Sequence, residues 1–83
     1  MKEEIKKLAS NNDGRFIRMK IEEELHELLE ALELNYEPHI VEEMADVYLT
    51  IKQYLLKYNL EDEFYEKLAF KIKRTKHRIG LEE

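Results

Sequence analysis

The sequence predicts an all-α protein: an antiparallel bundle of three long helices plus a short N-terminal helix, completed by dimerisation. Three observations carry that expectation. Two glycines and one proline leave little room for turns, and 40% of the residues are charged, the balance of a helical, soluble chain. Apolar residues recur at steps of three and four along successive segments, the helical period. The middle segment is apolar over more than half its circumference, and a helix of that kind is normally covered on two sides. Two neighbours in so short a chain cannot readily do so; a second subunit can.

The 83 residues suffice for one domain. Residues 1–14 read as an N-terminal arm and turn, residues 15–80 as the core helices. Domains this small commonly lean on a disulfide, a metal or a partner chain. The absence of cysteine removes the disulfide and any thiolate zinc site. No apolar run reaches the length of a membrane span. No signal-peptide core opens the chain, so a cytoplasmic location without membrane contact is expected. A net charge of −5 argues against a nucleic-acid polymer as partner.

Met1 to Ala9 carries Ile5 and Leu8 among charges and suits a short amphipathic helix or a frayed arm. The turn formers Ser10-Asn11-Asn12-Asp13-Gly14 break the chain and can cap the helix after them. The first long helix is expected from Arg15 to Leu34. Its apolar residues Ile17, Ile21, Leu25, Leu28 and Leu32 fall within an arc of roughly 80°. Glu24 borders that arc, with Lys20 and Glu27 next to it. Pro38 fits a first helical turn and opens the second helix, to Lys57. Its polar strip is narrow: Glu43, Asp46, Thr50, Gln53 and Lys57. Asn59 reads as the next N-cap, with Asp62 in a capping-box position. The third long helix runs from Leu60 to Ile79, with Gly80 at its C-terminus. Phe64, Leu68, Ile72, Thr75 and Ile79 form its core face, and Lys67, Lys71, Arg74 and Arg78 a basic stripe beside it.

The chemistry sits between Ile21 and Asp46, where ten acidic residues occur without a lysine or arginine. Glu24/Glu27 and Glu43/Asp46 are i, i+3 pairs, each on one face of its helix. Two such pairs on neighbouring helices can bring four carboxylates together. They then need a cation or raised pKa values. Magnesium suits such oxygen ligands and is usually shared with substrate phosphates. The basic stripe can neutralise phosphate oxygens. A single Glu-x-x-Glu pair is ordinary helix chemistry, and basic residues late in a helix also suit its dipole. A solvated acidic face on a structural dimer therefore stands as an alternative. Glu23 to His26 forms one Glu-x-x-His, the di-iron bundle spacing, but His26 points away from the core and has no counterpart.

Glu23-Glu24-Leu25-His26-Glu27, followed after fifteen residues by Glu43-Met44-Ala45-Asp46, resembles the two-part signature of MazG-like nucleotide pyrophosphohydrolases, in the all-α NTP pyrophosphatase superfamily. Phe70 to Ile79 resembles the family's later basic helix. The resemblance spans about residues 15–80. It implies a homodimer or dimer of dimers that hydrolyses a nucleoside triphosphate to monophosphate and pyrophosphate with Mg²⁺, Mn²⁺ being a substitute. It implies Glu24, Glu27, Glu43 and Asp46 as metal ligands, and Glu23 with Glu24 as catalytic groups. It assigns Lys71, Arg74, Arg78 and, more weakly, Lys20 to phosphate. The alternative within the same fold is a helical dimer that binds a nucleotide or a protein without turnover.

Overall fold

A computed structural model describes residues 1–81. They form four helices: α1 (Lys2–Asn11), α2 (Gly14–Leu34), α3 (Glu37–Lys57) and α4 (Glu61–Arg78). No strand occurs among the described residues, so the all-α expectation holds.

The N-terminal segment is a helix, not an arm, and it packs on α3. Ala9 is buried, and Lys57 donates from Nζ to the Ala9 carbonyl at 3.2 Å. Ser10 and Asn11 belong to α1 rather than to the turn. The Ser10 hydroxyl donates to the Lys6 carbonyl one turn back, which satisfies the hydroxyl locally within the helix. The break narrows to Asn12 and Asp13. Asp13 caps α2 by accepting from the Arg15 backbone N–H at 3.2 Å. Gly14 comes next because the Tyr58 hydroxyl, at the end of α3, occupies the space a Cβ would need.

α2 and α3 form the antiparallel hairpin that holds the site. Asn35, with φ 55° and ψ 39°, turns the chain out of α2, a left-handed conformation asparagine tolerates. Pro38 lies in the first turn of α3. Ile17 and Ala31 of α2 are fully buried, and Val47 and Leu55 of α3 are nearly so.

Asn59 does not cap α4. It adopts φ 55° and ends α3 instead: the Leu60 N–H donates to the Leu55 carbonyl at 2.8 Å, the six-to-one bond of a Schellman motif. Leu60 stands at the N-cap without a side-chain hydrogen bond. Gly80, at φ 73°, closes α4 in the same way, with the Leu81 N–H on the Lys76 carbonyl.

Three apolar surfaces that the periodicity assigns to a core lie open. Leu25 and Leu32 of α2 are exposed, as are Val41, Met44 and Tyr48 of α3. On α4 no residue is buried, and Leu68 and Ile72, with Ile79 just past its end, face solvent. α4 therefore does not complete a bundle within the chain. Its N-terminal end is held by Lys52, a buried lysine whose Nζ donates to Glu61 at 2.6 Å and to the Tyr65 hydroxyl at 3.1 Å. Lys2 of α1 joins Glu61 at 3.2 Å. The shape is correspondingly open. The radius of gyration is 15.2 Å, against about 12 Å for a compact chain of this length. The accessible surface is 6988 Å², against about 5300 Å² for a compact monomer of this mass.

Candidate metal centre

The α2–α3 seam has an unusual composition. Glu24 lies two turns from both Ile17 and Ala31, on the face that α2 turns towards α3. On α3, the narrow polar strip is largely buried: Glu43, Thr50 and Gln53 are all interior, alongside Val47 and Leu55. The apolar residues Val41, Met44 and Tyr48 point outward in their place. The hairpin has packed the Glu24 and Glu43 carboxylates inward and left hydrophobic surface free.

Carboxylate oxygens of Glu24, Glu43 and Asp46 lie within 4.8 Å of one another, and so do those of Glu23, Glu24 and Glu27. Glu24 belongs to both groups. Glu24 and Glu43 are each only 7% exposed, and the Oε2 atom of each is buried without a hydrogen-bond partner. Burial pushes the Glu24 carboxyl above its usual range, and the charges of Glu27 and Asp46 add to the rise, while Lys20 opposes it. Burial likewise raises Glu43, followed by the neighbouring Glu27 and Asp46 carboxylates. The four residues that the resemblance assigns to metal thus converge and repel one another.

Lys20 sits at the edge of the cluster. Its Nζ lies 3.2 Å from Glu23 Oε1 and 3.4 Å from Glu24 Oε1. Its pKa is raised, chiefly by the bond to Glu23. One cation therefore meets one oxygen of Glu24 and leaves the buried Oε2 atoms of Glu24 and Glu43 uncompensated. Buried polar oxygens without partners are costly, and a group of acceptor-only carboxylates is satisfied by a proton or a cation. Hard divalent cations such as Mg²⁺ favour this donor set.

A cleft of about 270 Å³ opens beside the carboxylates, lined by Asn12, Phe16, Ile17, Lys20, Glu24, Asp46, Leu49, Thr50 and Gln53. Lys71, Arg74 and Arg78 do not line it. They are exposed on α4, where Lys71 borders a separate groove with Glu66, Lys67 and Phe70, and Arg74 lies over the Phe70 ring. The chain brings the acidic residues and Lys20 together but not the basic stripe.

No signal in the sequence marks Lys52 or the pairing of Asn12 with Gln53. Asn12 Nδ2 donates to Gln53 Oε1 at 2.9 Å across 41 residues of sequence. No local pattern encodes such a pair, although Gln53 falls two turns after Asp46 on the same strip. His26 is exposed and 3.9 Å from Glu30, away from the carboxylate cluster as its helical position predicts. Comparison of the chain with protein-family models, with curated proteins and with solved structures finds no match.

Proposed function

We propose that the protein is a Mg²⁺-dependent nucleoside triphosphate pyrophosphohydrolase working as a homodimer. One observation carries the metal assignment: two buried carboxylate oxygens, Glu24 Oε2 and Glu43 Oε2, have no donor and lie in a group of acids within coordinating reach of one another. The MazG-like motif supplies the reaction class.

Glu24, Glu27, Glu43 and Asp46 would hold the ion. When bound, Mg²⁺ polarises phosphate oxygens and acidifies water. The remaining work falls to the chain's own side chains. Glu23, exposed and paired to Lys20, orients the attacking water and takes its proton. The water oxygen bonds to the α-phosphorus, the α–β anhydride bond breaks, and pyrophosphate leaves with the electron pair. Lys20 meets the charge that develops on phosphate oxygens. Lys71, Arg74 and Arg78 reach phosphate only through the dimer, in which the open face of α4 is covered.

The dimer is supported by the roughly 1700 Å² of surface in excess of a compact monomer. Burial of that area on each of two copies totals about 3400 Å², within the range of obligate interfaces.

Assay of pyrophosphate release from ribo- and deoxynucleoside triphosphates, with and without Mg²⁺, tests the reading. Glu24→Gln is expected to abolish release. A folded, Mg²⁺-binding protein that releases none from any triphosphate would instead be a binding module.

A further inference from the structure

The cleft beside the carboxylates has two chemically different ends. On α2, Phe16, Lys20 and Glu24 succeed one another at steps of four. On the antiparallel α3, Gln53, Thr50 and Asp46 run the opposite way along the same cleft. At a rise of 1.5 Å per residue the two ends are about 10–12 Å apart. One end holds Glu24 and Asp46. The other holds an aromatic ring, Phe16, which is 44% exposed, and two amides, Asn12 and Gln53. Lys20 lies between.

The amide end is built rather than incidental. Gln53 is 7% exposed and is fixed by the bond from Asn12 Nδ2. That bond uses one Asn12 N–H and one Gln53 lone pair. It leaves the Asn12 carbonyl as an acceptor and the Gln53 amino group as a donor on two residues that both line this end of the cleft. A base edge presents the complementary pair, and every base has a face that can stack on an aromatic ring.

We propose that this end of the cleft, bounded by Asn12, Phe16 and Gln53, seats the nucleobase of the substrate. The base stacks on Phe16 and is read by the two amides. The sugar and first phosphate pass Lys20 towards Glu24 and Asp46. The inference rests on the pyrophosphohydrolase reading and gives that site its means of selecting a nucleotide.

The test compares ligands with and without a base, in Mg²⁺. Calorimetry gives the affinities of α,β-methylene nucleoside triphosphates, which resist cleavage, and of inorganic tripolyphosphate. At least one nucleotide is expected to bind ten or more times tighter than tripolyphosphate. Gln53→Ala, and independently Phe16→Ala at its exposed position, should each cut that preference roughly tenfold. Thermal melts establish that both variants fold, and the ratio of the two affinities separates base contact from general loosening. Equal affinity for nucleotide and tripolyphosphate overturns the proposal. So does a fall in both affinities in step in either folded variant. Pyrophosphate release is measured alongside. Gln53-dependent nucleotide binding without release keeps the base seat and rejects the hydrolase. Release that is indifferent to the base does the reverse.

Discussion

Tyr48→Asp is expected to dissociate the proposed dimer. Tyr48 stands on the outward face of α3 with Val41 and Met44 and is 55% exposed in the single chain. A tyrosine presents about 150–250 Å², so about 80–140 Å² of Tyr48 awaits cover. At roughly 25 cal/mol per Å² its burial contributes about 2–3.5 kcal/mol for each copy. A two-fold interface uses the position twice, which gives about 4–7 kcal/mol, or three to five decades in the dissociation constant. The new carboxylate adds to this, because an unpaired charge resists burial. Sedimentation over a concentration series reads the result. Wild type should sediment as a dimer, or a dimer of dimers, at micromolar concentration, Tyr48→Phe should match it, and Tyr48→Asp should be monomeric or unfolded. A well-folded wild-type monomer at micromolar concentration refutes the reasoning. A Tyr48→Asp protein as dimeric as wild type refutes this face as the interface.

Other consequences concern the cluster and its supports. Mg²⁺ at a tenfold excess over its dissociation constant should stabilise the protein by about 1.4 kcal/mol, raising Tm by roughly 6–11 °C at fixed protein concentration; an unchanged Tm with saturating Mg²⁺ counts against the site. The raised carboxyls of Glu24 and Glu43 mean that the folded state holds those protons more tightly than the unfolded chain. The stability of chelator-treated protein should therefore fall as pH rises from their ordinary value of 4.5 through the higher folded values, and Glu43→Gln should flatten that slope. Glu61, whose carboxyl Lys52 holds below 4.5, acts in the lower window, where its stabilising contribution is lost on further acidification. Lys52→Met should lower Tm by roughly 5–10 °C by releasing Glu61 and Tyr65. Ile17→Ala, at a fully buried position, should cost about 2–5 kcal/mol in denaturant unfolding.

The helices were legible because helix signals are local. The three- and four-residue steps, Pro38 and Gly80 located α2, α3 and α4 to within about two residues of their ends. Asn59 misleads because a left-handed asparagine closing one helix and an N-cap opening the next look alike in sequence. Which face of a helix turns inward is a pairwise matter. On α3 both the polar strip and the broad apolar surface fit a helix, and the hairpin buried the strip. The convergence of Glu24, Glu27, Glu43 and Asp46 could be anticipated because a short connection forces α2 and α3 to lie antiparallel. Lys52–Glu61–Tyr65 and Asn12–Gln53 could not, since each joins elements whose relative placement periodicity does not encode. The basic stripe on α4 was legible as a stripe, but its distance from the carboxylates depends on an angle that only tertiary contacts set.

Pyrophosphate release from a panel of nucleoside triphosphates, with and without Mg²⁺, in wild type and Glu43→Gln, addresses the central claim most directly. The structure gives Glu43 a buried oxygen that lacks a donor, so release should need both the metal and the carboxylate. Release that survives Mg²⁺ removal or the Glu43→Gln change, or no release by a folded dimer that binds Mg²⁺, would contradict it.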